Sequence, residues 1–172
     1  KRRELIRNAI TKEGVKLDAT TVVDESLLDE VTGLVEYPVA LTGRFEELYL
    51  EVPSEALILA MKSHQKCFYL LDRKEKLLAY FVSVSNIRST DPSQVIEGNE
   101  RVIRPRLADA KFFYETDKQS SLESRLELLK KVVFQKKLGT VYERSLRVAK
   151  LAKFIAANTG ENEAQSERAA ML

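Results

Sequence analysis

Three arginines stand within six positions of one predicted helix, at Arg101, Arg104 and Arg106, and Lys111 follows shortly after them. Guanidinium groups are always charged and present forked N–H donors that fit phosphate oxygens. Backbone N–H groups left free at a helix start would strengthen the same anion-attracting field. The chemistry that these residue types predict is binding of a phosphate-bearing polymer such as a nucleic acid.

The same arginines have a structural alternative. Arg101 and Arg104 lie at helical spacing from Glu97, Glu100 and Asp109, and oppositely charged side chains at that spacing form ion pairs on helix surfaces. The sequence leaves phosphate binding and ion pairing equally open.

Further basic side chains recur along a helix predicted from Val141 to Asn158, at Arg144, Arg147 and Lys150. Residues 101–153 contain 14 Lys and Arg against six Asp and Glu, a local net charge of +8, whereas the whole chain carries only +2. A basic half joined to an acidic half favours a polyanion partner for the basic half. Solvated helix faces without a ligand are the alternative interpretation.

Residues that could support catalysis or hold a metal are few. The single histidine, His64, is predicted at a helix end, where it more typically interacts with the helix dipole. The single cysteine, Cys67, begins a predicted strand, where a buried and inert thiol is expected. No phosphate-binding glycine loop, dinucleotide turn or zinc-ligand spacing is present, and Glu46 and Glu47 show no sign of convergence. The sequence therefore predicts no catalytic residue and no metal ligand.

The composition, 44% hydrophobic and 31% charged, is ordinary for a globular protein. No apolar run is long enough to span a bilayer, and the N-terminal residues do not form a signal peptide. A single cysteine excludes an internal disulfide and favours a reducing, cytoplasmic compartment. The chain starts without Met and stops within an apolar helical pattern, so we expect it to be a fragment of a longer protein.

The periodicity predicts an α+β fold whose first domain, residues 1–90, is a mixed α/β unit with a small antiparallel sheet. The first helix is expected to end at Gly14, the second to be capped by Asp24, and the third to start at Pro53. Gly43 is expected to form a turn or bulge. Strands are predicted at residues 39–42, 48–52, 67–71 and 77–85, the last two as a hairpin.

The sequence predicts a second, all-helical domain over residues 91–172. Pro105 either kinks its first helix or restarts it, and Ser120 with Glu123 predicts a capping box for the next helix. That next helix takes its apolar face from Leu122, Leu126, Leu129 and Val133. The following helix, from Val141, is expected to bury Val148, Leu151, Ala152 and Ile155.

Phe112, Phe113 and Tyr114 occupy three adjacent helical positions, so their rings point in different directions around the helix axis. At least two of the three rings are expected in the core, and base stacking by them is the less favoured interpretation.

Several longer strings resemble one known family. They are residues 34–43 (LVEYPVALTG), 61–66 (MKSHQK), 84–86 (VSN), 98–103 (GNERVI), 106–113 (RLADAKFF) with Asp117, and 137–139 (KLG). These strings resemble the β subunit of the bacterial heterotetrameric glycyl-tRNA synthetase, and the similarity runs from about Leu28 to the end of the chain.

This resemblance implies an interior segment of a longer subunit that supports ATP-dependent attachment of glycine to tRNA(Gly) and has no active site of its own. In that family the separate α subunit carries the catalytic core, so ATP and Mg²⁺ are expected there. The implied partners are the α subunit and tRNA(Gly), with no membrane and no DNA. The candidate tRNA-binding residues are Arg101, Arg104, Arg106, Lys111, Arg144, Arg147 and Lys150.

Residues 144–152 (RSLRVAKLA) also resemble, more weakly, the start of an HD-type helical domain. Active HD phosphohydrolases open this segment with a metal-binding histidine, whereas this chain has Arg144, a cation that cannot ligate a metal. The resemblance implies that the helical region is a degenerate HD-like one, incomplete at its C-terminus. An HD-type phosphohydrolase, or a purely structural bridge between the α-subunit contact and distal tRNA-binding domains, are the alternatives.

Overall fold

The structure, a computed structural model, describes residues 1–172, which form two compact units, Lys1–Tyr114 and Glu115–Leu172. The helices are α1 (Arg2–Lys16), α2 (Glu25–Leu34), a 3₁₀ helix (Glu47–Glu51), α3 (Ser54–Gln65), α4 (Pro92–Lys118), α5 (Leu122–Leu129), α6 (Val141–Thr159) and α7 (Glu163–Met171). The strands are β1 (Thr20–Thr21), β2 (Val39–Arg44), β3 (Phe68–Leu71), β4 (Leu77–Ser85), β5 (Val133–Gln135) and β6 (Gly139–Thr140).

The first unit is built on one antiparallel sheet with strand order β1-β3-β4-β2. The predicted hairpin of β3 and β4 is confirmed. Its turn is closed by Asp72, whose carboxylate accepts hydrogen bonds from the backbone N–H groups of Lys74 and Lys76. The α+β class and the small antiparallel sheet are therefore confirmed for this part of the chain.

Helices cover both faces of this sheet, because alternate side chains of its strands point to opposite sides. On one face, Phe68, Leu70 and Val82 pack against α1 and α2. On the other face, Phe81 and Ala79 pack against the 3₁₀ helix, α3 and α4. The two buried clusters place α4, which carries four of the candidate cations, firmly on the second face.

Two glycines do not act as the sequence predicted. Gly14 lies inside α1 and does not end it, and Gly43 lies inside β2 opposite Phe81, so neither a stop nor a turn forms there. At both positions a neighbour approaches too closely for a side chain: a Cβ on Gly43 would lie 2.4 Å from Cζ of Phe81. Close packing, and not chain reversal, explains both glycines.

The strand predicted at residues 48–52 is wrong, because most of this segment belongs to the 3₁₀ helix. Tyr49 and Val52 are its buried side chains, three positions apart, and the N–H of Val52 donates to the carbonyl oxygen of Tyr49 at 3.0 Å. A spacing of three suits a 3₁₀ turn and does not suit a strand.

Pro105 neither separates two helices nor ends one, since α4 runs without interruption from Pro92 to Lys118. Proline removes one N–H donor, the one that would have bonded the carbonyl of Arg101. Pro105 and Arg101 are both exposed, so water can solvate that carbonyl. The buried side chains Ile103 and Leu107 hold the helix to the core on either side of the proline.

The second unit is not wholly helical, which corrects the prediction for residues 91–172. Between α5 and α6 the chain forms an antiparallel hairpin of β5 and β6, and Val133 lies in β5 instead of on a helix face. The N-cap of α5 is Ser121, not Ser120. Thr140 caps α6 through a capping box with Glu143.

The buried face predicted for α6 is wrong. Ala149 and Ala156 are its buried residues, whereas Leu151 and Ile155 are 61% and 58% exposed. The helix carries apolar residues on two sides, and the smaller residues face inward because α7 packs closely beside them. A periodic pattern shows which residues share a face, and it does not show which of two apolar faces is covered.

The aromatic triplet was also predicted wrongly. Phe112 and Phe113 are 65% and 62% exposed and form an edge-to-face pair with ring centroids 5.6 Å apart. Only Tyr114 packs against the core of the first unit.

The division into domains at residues 90 and 91 stays a prediction, because compactness within one chain does not define a domain. None of the helices combines the length and apolar composition that crossing a bilayer requires.

Asp24 caps α2 and also pairs with Lys62, so its loss should weaken the first unit. The carboxylate accepts from the N–H of Leu27 at 2.9 Å and from Nζ of Lys62 at 2.5 Å. We expect Asp24→Ala to lower the free energy of unfolding by about 1–2 kcal/mol at pH 7, measured by urea unfolding.

The effect of Asp24→Ala should depend on pH. Bonds from Lys62, then Ser26 and Leu27, lower the pKa of Asp24 in the folded chain. A lowered pKa gives stability that is present above the unfolded pKa of about 4 and is lost as the pH falls below it. The difference between wild type and variant should therefore shrink on going from pH 5 towards pH 2. Asp24→Asn, which keeps the capping oxygen, should lose less than Asp24→Ala at pH 7, and equal losses would contradict the capping role.

Candidate nucleic-acid interface

The candidate cations on α4 are mostly engaged with carboxylates of the same unit. The guanidinium of Arg101 donates to Glu97, one turn earlier, at 2.8 Å. The guanidinium of Arg104 donates to Glu46 at 2.5 Å across a cleft of about 400 Å³. Ion pairing, the alternative that the sequence left open, is thus present for both arginines, although the partner of Arg104 lies outside α4.

Lys111 has a docking role as well. Its Nζ donates to Glu51 at 2.6 Å and to the carbonyl oxygen of Leu48 at 3.3 Å, which ties α4 to the 3₁₀ helix. The hydrogen bond from Lys111 also lowers the pKa of Glu51. Paired in this way, Arg104 and Lys111 present little net charge to a phosphate, whereas the ion pair of Arg101 is exposed to solvent.

Arg106 differs from its neighbours. It is exposed and has neither an ion-pair nor a hydrogen-bond partner in the structure. Among the four candidate cations of α4 it is the one whose guanidinium remains free to bind phosphate.

Two of the three candidate cations on α6, Arg144 and Arg147, contact the hairpin of β5 and β6. Cζ of Arg144 lies 4.8 Å from the centre of the Phe134 ring, a cation–π contact. The guanidinium of Arg147 donates to the carbonyl oxygen of Leu138 at 3.1 Å. Lys150 is exposed and has no partner. None of these three cations is paired with a carboxylate.

Sequence reasoning missed two further cations at this place. Lys136 and Lys137 form the turn of the β5–β6 hairpin, both exposed and both without a partner. The hairpin was predicted as helix, so their position beside α6 could not be inferred. We use the name hairpin basic cluster for Lys136, Lys137, Arg144, Arg147 and Lys150.

Carboxylates near this cluster are occupied elsewhere. Glu143, the nearest in sequence, accepts the N–H of Thr140 in the capping box, and this bond lowers its pKa. Other acidic side chains of the second unit pair with cations outside the cluster. Glu143 also interacts electrostatically with Arg147, so the positive charge that no nearby carboxylate offsets is that of Lys136, Lys137, Arg144 and Lys150, an arrangement that attracts a polyanion.

The two residues that the sequence considered for catalysis, His64 and Cys67, lie at and just after the end of α3. His64 is exposed near the end of α3 and has no hydrogen-bond partner. Cys67 is buried, as predicted, and burial raises the pKa of its thiol to about 12, so the nucleophilic thiolate is disfavoured. No three His, Cys, Asp or Glu side chains converge on one point.

Comparison with known proteins gives one consistent result. The family described as "Glycyl-tRNA synthetase beta subunit" matches residues 1–172. The glycine–tRNA ligase beta subunit of Marinobacter nauticus is 56% identical over 172 residues, which cover 99% of this chain and 25% of that protein. The corresponding subunits of Chromohalobacter salexigens and Hahella chejuensis are 54% and 53% identical, covering 100% and 99% of this chain and 25% of each protein. The chain thus spans about a quarter of the length of the curated relatives that it matches.

Proposed function

This chain belongs to the glycyl-tRNA synthetase beta subunit family, and from that premise we propose that it contributes tRNA recognition to a cytoplasmic glycine–tRNA ligase. Its partners in this proposal are the α subunit and tRNA(Gly). The observation that carries the proposal is the hairpin basic cluster, in which Lys136, Lys137 and Lys150 are unpaired and no carboxylate bonds Arg144 or Arg147. Unneutralised cations on one exposed surface are the electrostatic footprint of RNA binding.

The candidate cations of α4 and those of the hairpin basic cluster make different contacts, and their proposed roles follow from these contacts. Arg104 and Lys111 hold α4 against the segment around Glu46 and Glu51, so we assign them to the fold. The ion pair of Arg101 is exposed and weak, and a phosphate can displace Glu97 from it. Arg101 and Arg106 therefore form a secondary phosphate contact, and the hairpin basic cluster forms the main one.

Exchanging both turn lysines, Lys136→Gln with Lys137→Gln, should weaken tRNA binding in the full-length two-subunit enzyme. We expect the KM for tRNA to rise on the order of tenfold at physiological salt. Glycine-dependent exchange of pyrophosphate into ATP should be unchanged, because the exchange does not need tRNA. The slope of log affinity against log salt should become shallower by about 2, since two phosphate contacts are lost.

Arg73→Gln is the matched control for this test. Arg73 is an exposed cation in the β3–β4 turn, paired with Asp18 at 2.7 Å and outside both groups. It should leave the KM for tRNA and the salt slope unchanged. A fall in pyrophosphate exchange equal to the fall in aminoacylation would assign the turn lysines to the fold or to a subunit contact. Salt-independent binding of tRNA would favour the purely structural bridge.

Glycine activation requires ATP and Mg²⁺, which we place in the α subunit. We assign no ATP or Mg²⁺ ligand to this chain, in which the carboxylates of Asp24, Glu46 and Glu51 are held by cations. No step of the reaction is assigned to residues 1–172.

We also propose that the second unit is a degenerate HD-like region. The support is Arg144, which stands where the resemblance places a metal-binding histidine and which instead contacts the Phe134 ring. A guanidinium has no lone pair to offer a metal. Stoichiometric divalent metal in the purified full-length subunit, together with phosphodiester hydrolysis, would replace this proposal with an HD-type phosphohydrolase.

A further inference from the structure

The second unit has an apolar stripe that nothing in residues 1–172 covers. Val148, Leu151 and Ile155 follow one another at three and four positions along α6, so they line one side of the helix. This apolar stripe lies more than 100° around the helix from the buried residues Ala149 and Ala156. A helix that is apolar on two sides is typical of the interior of a helical layer, not of its surface.

The second unit also lacks a core of its own. Its buried hydrophobic residues are Ala149 and Ala156 alone, whereas twelve large apolar side chains in it are exposed. The first unit, by contrast, buries nineteen hydrophobic residues. A segment of 58 residues that buries two alanines cannot hold its fold by hydrophobic burial. Whatever covers the apolar stripe must therefore be present whenever the second unit is folded.

We propose that the apolar stripe is covered by the part of the same subunit that lies outside residues 1–172, through an apolar helix packed along α6. The relatives are about four times as long as this chain, because it covers 25% of each of them. A segment of the same polypeptide is always present when the subunit folds, whereas tRNA and a dissociable subunit are not. The stripe also contains no charged side chain, as expected for a permanent interior contact.

This inference does not depend on RNA binding, and it separates the cations of α6. Arg144 precedes Val148 by one turn and continues the line of the apolar stripe, so the covering helix would reach it together with the Phe134 ring. Lys150 lies about 100° away from Leu151 and remains accessible. Within the hairpin basic cluster we therefore assign Arg144 a positioning role for the hairpin, and the phosphate contacts stay with Lys136, Lys137, Arg147 and Lys150.

Alkylation of introduced cysteines in the full-length subunit tests the cover. Leu151→Cys places a thiol in the apolar stripe, and Ala157→Cys, a small and exposed position on another side of α6, is the matched control. With iodoacetamide and peptide mass spectrometry, the thiol at position 151 should react at least about tenfold more slowly than the thiol at position 157 in the native subunit. The two rates should become equal in denaturant.

Three arms identify the cover: the subunit alone, the subunit with the α subunit, and the subunit with tRNA. Protection of position 151 in the subunit alone supports the proposal. Protection that requires the α subunit or tRNA overturns it in favour of a partner site, and equal rates in every arm overturn it as well. If Leu151→Cys does not fold, hydroxyl-radical footprinting of the wild-type subunit replaces it. Leu151 and Ile155 should then be oxidised much more slowly in the native than in the denatured state, and unchanged oxidation refutes the cover.

Discussion

Phe81→Ala is expected to lower the free energy of unfolding of the first unit by about 3–5 kcal/mol, the range for truncating a fully buried aromatic ring. Phe81 is completely buried in β4, and the facing residue in β2 is Gly43, which has no side chain to fill the space. The cavity left by the ring therefore cannot close from the neighbouring strand. Phe81 also shares its cluster with Ile103 and Leu107, so its loss should loosen α4.

The measurement is urea unfolding followed by far-UV circular dichroism, with Phe113→Ala as the matched control. Phe113 undergoes the same chemical change but is 62% exposed, so its loss should cost less than about 1 kcal/mol. Similar losses of unfolding free energy in the two variants would contradict a central role for Phe81 in the buried cluster that it shares with Ile103 and Leu107. Faster hydrogen exchange in α4 of Phe81→Ala, and not of Phe113→Ala, would show directly that the ring anchors the helix.

The β3–β4 hairpin of the first unit could be predicted from the sequence because its signals are local. Residues 67–71 and 77–85 are rich in strand-forming aromatic and aliphatic residues and are joined by a short charged turn, which suffices to predict a hairpin. Asp24 and Pro92 mark helix starts through the chemistry of single residues. Such features need no knowledge of what packs against them.

The errors occur where tertiary packing decides between two local possibilities. Gly14 was expected to end the first helix and Gly43 to form a turn or bulge. Both are instead positions where another segment comes too close for a side chain. On α6, the periodicity of apolar residues was recognised, and the wrong side was expected to be buried. At least two of the three rings of Phe112, Phe113 and Tyr114 were expected inside, yet Phe112 and Phe113 are both exposed. None of these outcomes is encoded within a window of a few residues.

The sequence was enough to predict which residue types make up the candidate site, but not which of its cations form ion pairs. The sequence offered phosphate binding or ion pairing for Arg101 and Arg104, and only the fold brought Glu46 next to Arg104. The reverse error concerns Lys136 and Lys137, which had no assigned place until the β5–β6 hairpin set them beside α6. Clusters of charge are readable from composition, but which charges remain unneutralised depends on long-range contacts.

Gly14→Ala is expected to destabilise the first unit by roughly 1–3 kcal/mol, although alanine is the better helix former by about 1 kcal/mol. A Cβ at position 14 would lie 2.5 Å from Oγ1 of Thr21 and 2.9 Å from the carbonyl oxygen of Ala19. The Thr21 hydroxyl donates to the carbonyl oxygen of Ile10 at 2.9 Å, which fixes β1 against α1. Because two of the close atoms belong to the backbone, relief requires moving the edge strand.

Gly33→Ala makes the identical change in α2 and should act in the opposite direction. No atom lies within 4 Å of a Cβ at Gly33, so alanine there should stabilise by about 0.5–1 kcal/mol through the lower entropy of the unfolded chain. Urea unfolding of both variants under one set of conditions gives the test. If Gly14→Ala is also stabilising, β1 is not tightly packed on α1 and Gly14 has no packing role. If the added methyl group lowers the free energy of unfolding at position 14 and raises it at position 33, then available space, and not helix propensity, determines which residue position 14 accepts.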